Sequence, residues 1–80
     1  MLRKANPLNA YAQVEDVASK IQYMIEASSD KIEREESFLK QQMMSNPKFR
    51  SLKNQIDSDM YDIYELAKAL EKKAIMIQKL

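Results

Sequence analysis

From Lys48 to Leu80 the apolar positions follow a repeat of seven. Ile56, Ile63, Leu70 and Ile77 occupy one position of it, and Leu52, Leu66 and Leu80 a second. That period predicts a long amphipathic helix with a coiled-coil-like seam. The helix has a marked start at Asn46-Pro47. Proline disfavours helical geometry in the residue before it, asparagine caps a new helix, and proline is tolerated at its first position. Neither Pro nor Gly interrupts the chain between there and Leu80.

A second apolar stripe runs upstream through Val14, Ala18, Ile21, Ile25, Ile32, Leu39 and Met43. Asn6-Pro7 is a helix start by the same reasoning, and Asn9 is a second candidate cap. Glu15 and Asp16 then sit near the positive end of the helix dipole. The middle of this stripe is weak. Ser28 and Glu35 stand where apolar residues are expected, and the side chains of Ser28-Ser29-Asp30 compete for the backbone. A continuous first helix and one that kinks or breaks at 28–30 both stay open. Residues 1–5, with Arg3 and Lys4, read as a solvated arm.

A connection as short as Ser45-Asn46-Pro47 turns two long helices back on each other. The predicted fold is therefore all-α: an antiparallel two-helix hairpin in one domain, with a helix over 7–44, a turn at 45–47 and a helix over 48–80. The pairing expected across it sets Leu39 against Leu52, Met43 against Phe49 and Ile32 against Met60. It continues with Ile25 against Ala67, Ile21 against Leu70, Val14 against Ile77 and Tyr11 against Leu80. The charges follow the same register. Glu33, Glu35 and Glu36 fall near Lys48, Arg50 and Lys53; Lys31 and Arg34 near Asp57, Asp59 and Asp62; Glu15 and Asp16 near Lys72 and Lys73. Exposed pairs of this kind set register more than they add stability.

One mutual seam does not use all the apolar residues. Val17, Met24 and Phe38 lie off it on the first helix, and Tyr61, Tyr64, Ile75 and Met76 on the second. The ending Ala74-Ile75-Met76-Ile77, with Leu80, is apolar nearly all round. These residues (Val17, Met24, Phe38, Tyr61, Tyr64, Ile75, Met76, Ile77 and Leu80) are the candidate protein-interaction residues. A second stripe on both helices points to an intermolecular surface. The alternative is a bent first helix that folds back and covers the surplus in a three-helix bundle.

Composition supports association over chemistry. The 80 residues include no Gly, Cys, His or Trp. Without Cys or His there is no thiolate nucleophile, no imidazole base and no usual zinc site. No cofactor or small-molecule substrate is expected, and the chain does not read as an enzyme. No disulfide can form, and a domain this small rarely holds more than about 3–5 kcal/mol without staples, which leaves association. The acidic clusters Glu33/Glu35/Glu36 and Asp57/Asp59/Asp62 resemble bundle-core metal sites only in spacing, because those sites also require His. They read as a solvated, charge-paired face.

Thirteen basic and 12 acidic residues give a net charge of +1, too balanced for a nucleic-acid binder. Lys68, Lys72, Lys73 and Lys79 make the last turns basic, but Glu65 and Glu71 interrupt them, so a membrane-surface role is not favoured. No apolar run approaches the roughly 18–20 residues of a spanning helix, and the start lacks the apolar core of a signal peptide. The six methionines suit either an adaptable packing surface or plain helix filling.

The Pro turn at Asn46-Pro47, followed by Phe49, Leu52, Gln55 and Tyr61, then the apolar-basic ending Ile75-Met76-Ile77-Gln78-Lys79-Leu80, resembles the needle subunits of type III secretion systems. It also resembles the C-terminal half of their inner-rod relatives. The likeness covers about the last 35 residues; only the helical outline matches upstream. In that family Gln and Tyr stand about one residue nearer the Pro. The resemblance implies an exported subunit, without a cleaved signal, that polymerises through its C-terminal helices into a hollow filament. A small helical-hairpin chaperone or adaptor that holds a partner helix is the alternative, with a cytoplasmic location. Either way the expected partner is another copy of the chain or a helical protein.

Overall fold

The computed structural model describes residues 7–80. Arg3, Lys4 and the Asn6 cap lie outside the described residues. Pro7–Asn9 form a short 3-10 turn. Three helices follow: α1 (Ala10–Arg34), α2 (Glu36–Ser45) and α3 (Pro47–Gln78). There is no strand among the described residues. The molecule is a rod of 65 × 19 × 15 Å with a radius of gyration of 18.5 Å. A spherical chain of this length would have about 12 Å. Much of its surface therefore stays in water.

The start of α3 follows directly from its sequence. Asn46 is extended (φ −134°, ψ 96°), and its Oδ1 accepts a hydrogen bond of 3.1 Å from the Phe49 N–H. Pro47 opens the helix, where its missing N–H costs nothing. Asn9, by contrast, has helical angles and makes no side-chain cap bond. The 3-10 turn begun by Pro7 leads into α1 instead.

Of the two alternatives at 28–30, the continuous helix is the one observed. Ser28, Ser29 and Asp30 lie inside α1, exposed, and the helix runs through them to Arg34. Side chains that point into solvent do not compete effectively for the backbone. The interruption falls at Glu35, in the bridge conformation (φ −100°, ψ 14°). Its N–H bonds to Ile32 O at 3.1 Å and its carbonyl accepts from Leu39 N–H at 3.0 Å. The joint therefore consumes one residue without abandoning the backbone ladder. Glu33, Glu35 and Glu36 crowd like charge into this turn, and helix spacing makes that unfavourable.

Helices α1 and α3 pack against each other, and their contacts run in opposite senses. Gln78 of α3 meets Tyr11 and Glu15, Glu71 meets Gln22, and Tyr64 meets Glu26. Ile32 and Met60 share one groove, as expected, while Leu39 and Met43 lie beside Lys53.

The identity of the seam is the main correction. The buried residues are Ala18 (0% exposed), Ala67 (4%) and Ala74 (2%). Around them on α3 the least exposed positions are Lys53, Met60, Tyr64, Glu71 and Gln78. Phe49, Ile75 and Ile77 are likewise half-buried, but the rest of the repeat of seven assigned to the seam is more exposed. Ile56 is 51% exposed, Ile63 45%, Leu70 42%, Leu52 49%, Leu66 70% and Leu80 93%. Relative to expectation α3 is rotated by one residue, roughly 100°. Leu52, Leu70 and Leu80 are accordingly more exposed than the seam places expected for them. Alanine allows the closer approach of two helix axes, and long polar side chains then reach across.

A candidate association surface

Two reciprocal clasps hold the open end of the rod. Gln22 Nε2 donates to Glu71 Oε1 at 2.7 Å and to its own helix at Ala18 O, 3.2 Å. Gln78 Nε2 donates to Glu15 Oε1 at 2.9 Å, to its own helix at Ala74 O, 3.0 Å, and to Tyr11 O at 3.3 Å. Each clasp brackets a buried alanine. The sequence carries the reason: Glu15-Asp-Val-Ala18-Ser-Lys-Ile21-Gln22 and Glu71-Lys-Lys-Ala74-Ile-Met-Ile77-Gln78 share Glu, Ala, Ile and Gln at matching places. Two antiparallel helices with the same short motif make the same contact twice. A search for internal similarity finds this repeat in the sequence; a search for apolar periodicity passes over it, because its signal is polar.

Further along, the Tyr64 hydroxyl donates to Glu26 Oε2 at 3.2 Å, and Lys68 Nζ stands 5.6 Å from the Tyr64 ring centre. Partial desolvation against α1 raises the Tyr64 pKa above its ordinary value, and the charge of Glu26 and the hydrogen bond to it add to the shift. An open groove of about 520 Å³ follows on this side, lined by Ile25, Ile32, Met60, Tyr61, Tyr64 and Glu26 among others.

The ion pairs differ from those expected. Among the described residues they are Asp16–Lys20 at 3.1 Å, Lys53–Asp57 at 2.8 Å and Glu65–Lys68 at 3.7 Å, each within one helix. Glu33 and Glu36 do lie near Lys53, lining one groove with it, but no ion pair joins α1 to α3 among the described residues. Gln–Glu hydrogen bonds set the register in their place.

The candidate interaction residues separate into groups. In an antiparallel pair, positions on the same flank of the two seams fall on the same side of the layer. Glu26, Glu33 and Tyr61 mark one side, where the groove lies. Helical spacing puts Val14, Val17, Ile21 and Met24 on the other, together with Leu52, Ile56, Ile63, Leu66, Leu70 and Ile77, and Phe38 of α2 lines a pocket there with Ser28 and Lys31. Of the sequence candidates, Val17 (52% exposed), Met24 (63%), Phe38 (64%) and Ile77 therefore share one face, and Leu80 lies just past the end of α3. Tyr61 (65%) and Ile75 belong to the groove side, Tyr64 to the seam edge, and Met76 (62%) to the outer surface of α3. The residues missed as candidates are Leu52, Ile56, Ile63, Leu66 and Leu70. Their repeat was visible, but it had been assigned to the internal seam.

Among the described residues no group of three or more acidic side chains is placed to hold a metal ion, and no helix is long and apolar enough to cross a membrane. No family model, curated protein or solved structure matches the chain.

Proposed function

We propose that this protein is a non-enzymatic assembly subunit, a helical hairpin that self-associates through the outer stripe of its C-terminal helix. The observation that carries the reading is the uncovered repeat on α3. Hydrophobic burial alone would turn Ile56, Ile63, Leu66 and Leu70 inward and leave alanine, glutamine and glutamate outside. The monomer does the reverse. A heptad stripe of large aliphatic residues left 42–70% exposed from Ile56 to Leu70 is suited to another helix. The internal core supports the same reading. Among the described residues no large side chain is fully buried, so a lone rod gains little from burial.

The narrower assignment, a filament-forming subunit of a type III secretion apparatus, rests on the resemblance of Pro47–Leu80. A chaperone or adaptor that receives a partner helix is the second reading. It is favoured by the contribution of α1 and α2 (Val17, Met24 and Phe38) to the same apolar face, which widens it into a surface able to cradle a helix.

Sedimentation and light scattering over a wide concentration range, with electron microscopy of the same samples, test the proposal. Concentration-dependent assembly that is lost when the chain is cut after Glu71 is the expected result, and filaments favour the secretion assignment. A monomer at every concentration that captures a helical partner one-to-one replaces it with the chaperone reading.

A further inference from the structure

The geometry points to a second copy of this chain, lying antiparallel, as the occupant of the outer stripe of α3, with the pairing centred near Leu66. This inference rests on the self-association reading and specifies its elementary contact.

Spaced alternately by four and three, the stripe reads Leu52, Ile56, Asp59, Ile63, Leu66, Leu70, Lys73, Ile77, Leu80. Only Asp59 and Lys73 break its apolar character. They have opposite charge and stand seven residues to either side of Leu66. Turning the stripe end over end about Leu66 brings Asp59 of one copy to Lys73 of the other, twice. It also brings Leu52 to Leu80 and Ile63 towards Leu70. A parallel pair sets Asp59 beside Asp59 and Lys73 beside Lys73, which repel. Both charges are exposed, and among the described residues neither makes an ion pair within the chain. Each is therefore free of a competing partner there.

The size also suits. From Leu52 to Gln78, its last residue, α3 extends roughly 39 Å at 1.5 Å per residue. The rod is 19 Å across in its wider section. The rectangle these outline is on the order of 700 Å² per copy, close to what each partner of a stable specific interface buries. A two-fold pair presents the same patch from both sides, which requires a self-complementary pattern. The Asp–Leu–Lys order supplies one.

The absence of native cysteine makes the test direct. Copies carrying Asp59→Cys and copies carrying Lys73→Cys are mixed with a short bis-maleimide. Both positions are exposed, so neither change disturbs the internal seam. Covalent dimers are expected from the mixture and not from either variant alone. Separately, Asp59→Lys or Lys73→Asp is expected to weaken the pair roughly ten-fold, and the double exchange to restore it. Bridging of Asp59→Cys to itself, or a pair in sedimentation that never bridges 59 to 73, overturns the antiparallel pairing and leaves self-association standing. A monomer at all concentrations overturns both.

Discussion

The internal seam and the outer stripe of α3 are two faces of one helix, and they divide its residues in an unusual way. The seam holds Ala67, Ala74, Glu71 and Gln78; the stripe holds Ile56, Ile63, Leu66 and Leu70. Small residues bring the axes together and polar side chains fix which residue meets which, at the cost of a thin core. The large aliphatic residues carry most of the available burial energy, roughly 1.5–3 kcal/mol each when fully covered. Within the chain Ile56, Ile63, Leu66 and Leu70 stay between 42% and 70% exposed. In this rod the inner face sets geometry and the outer face holds the reserve of stability.

The strongest test of that contrast is a charge in the seam. Ala67→Asp puts an unpaired carboxylate at a buried position of the seam, and loss of most of the helical signal in circular dichroism is expected. If the rod keeps its helicity, Ala67 is not at the contact that holds it together. Next is the converse on the outer face. The double change Ile63→Ser/Leu66→Ser should weaken association by a hundred-fold or more, on the order of 3 kcal/mol, while the dilute chain keeps its circular dichroism. Sedimentation equilibrium decides this, and a fall in helicity of the dilute monomer would assign these residues to the internal core instead.

Smaller effects probe the devices that fix the register. Gln22→Ala removes one clasp, and a loss of about 1.5 kcal/mol in thermal or urea unfolding is expected, because its acceptor is a carboxylate. Asn46→Ala removes the cap of α3 and should cost about 1 kcal/mol. Comparison of the two tells whether the open or the closed end of the rod limits its stability.

The smallest expected effect is alkaline. The Tyr64 phenol is raised in the folded rod, so its neutral form is favoured there. Its contribution is fully present below the unfolded pKa of about 10 and fades as pH rises through the higher folded value. Tyr64→Phe should flatten the alkaline limb of a stability–pH curve. An unchanged limb would mean that the Glu26 contact does not persist in solution.

Much of the fold was legible because local chemistry decides it. Asn46-Pro47 can cap and open a helix wherever it occurs, and the absence of glycine leaves few ways to leave one. At Ser28-Ser29-Asp30 the sequence leaves a break and a continuous helix both open, and the helix runs on, because serine and aspartate disturb a helix only when they engage its backbone. Glu35 was already marked as out of place, and the interruption fell there. The candidate surface was half legible. Val17, Met24, Phe38, Ile77 and Leu80 were recognised as surplus, while the stripe from Leu52 to Leu70 was assigned to the wrong side of the helix.

The sequence by itself determined that the chain is helical, that a helix starts about the Asn46-Pro47 step, and that it carries an apolar residue at every seventh place from Ile56 to Ile77. It did not determine which way that repeat faces. A helix presents several stripes at once, and periodicity measures their regularity without ranking them. Only the packed arrangement decided the matter. Two copies of a Glu–Ala–Gln motif, far apart in the chain, satisfy each other across an antiparallel contact and turn α3 by one residue from the position that burial of its largest side chains would favour.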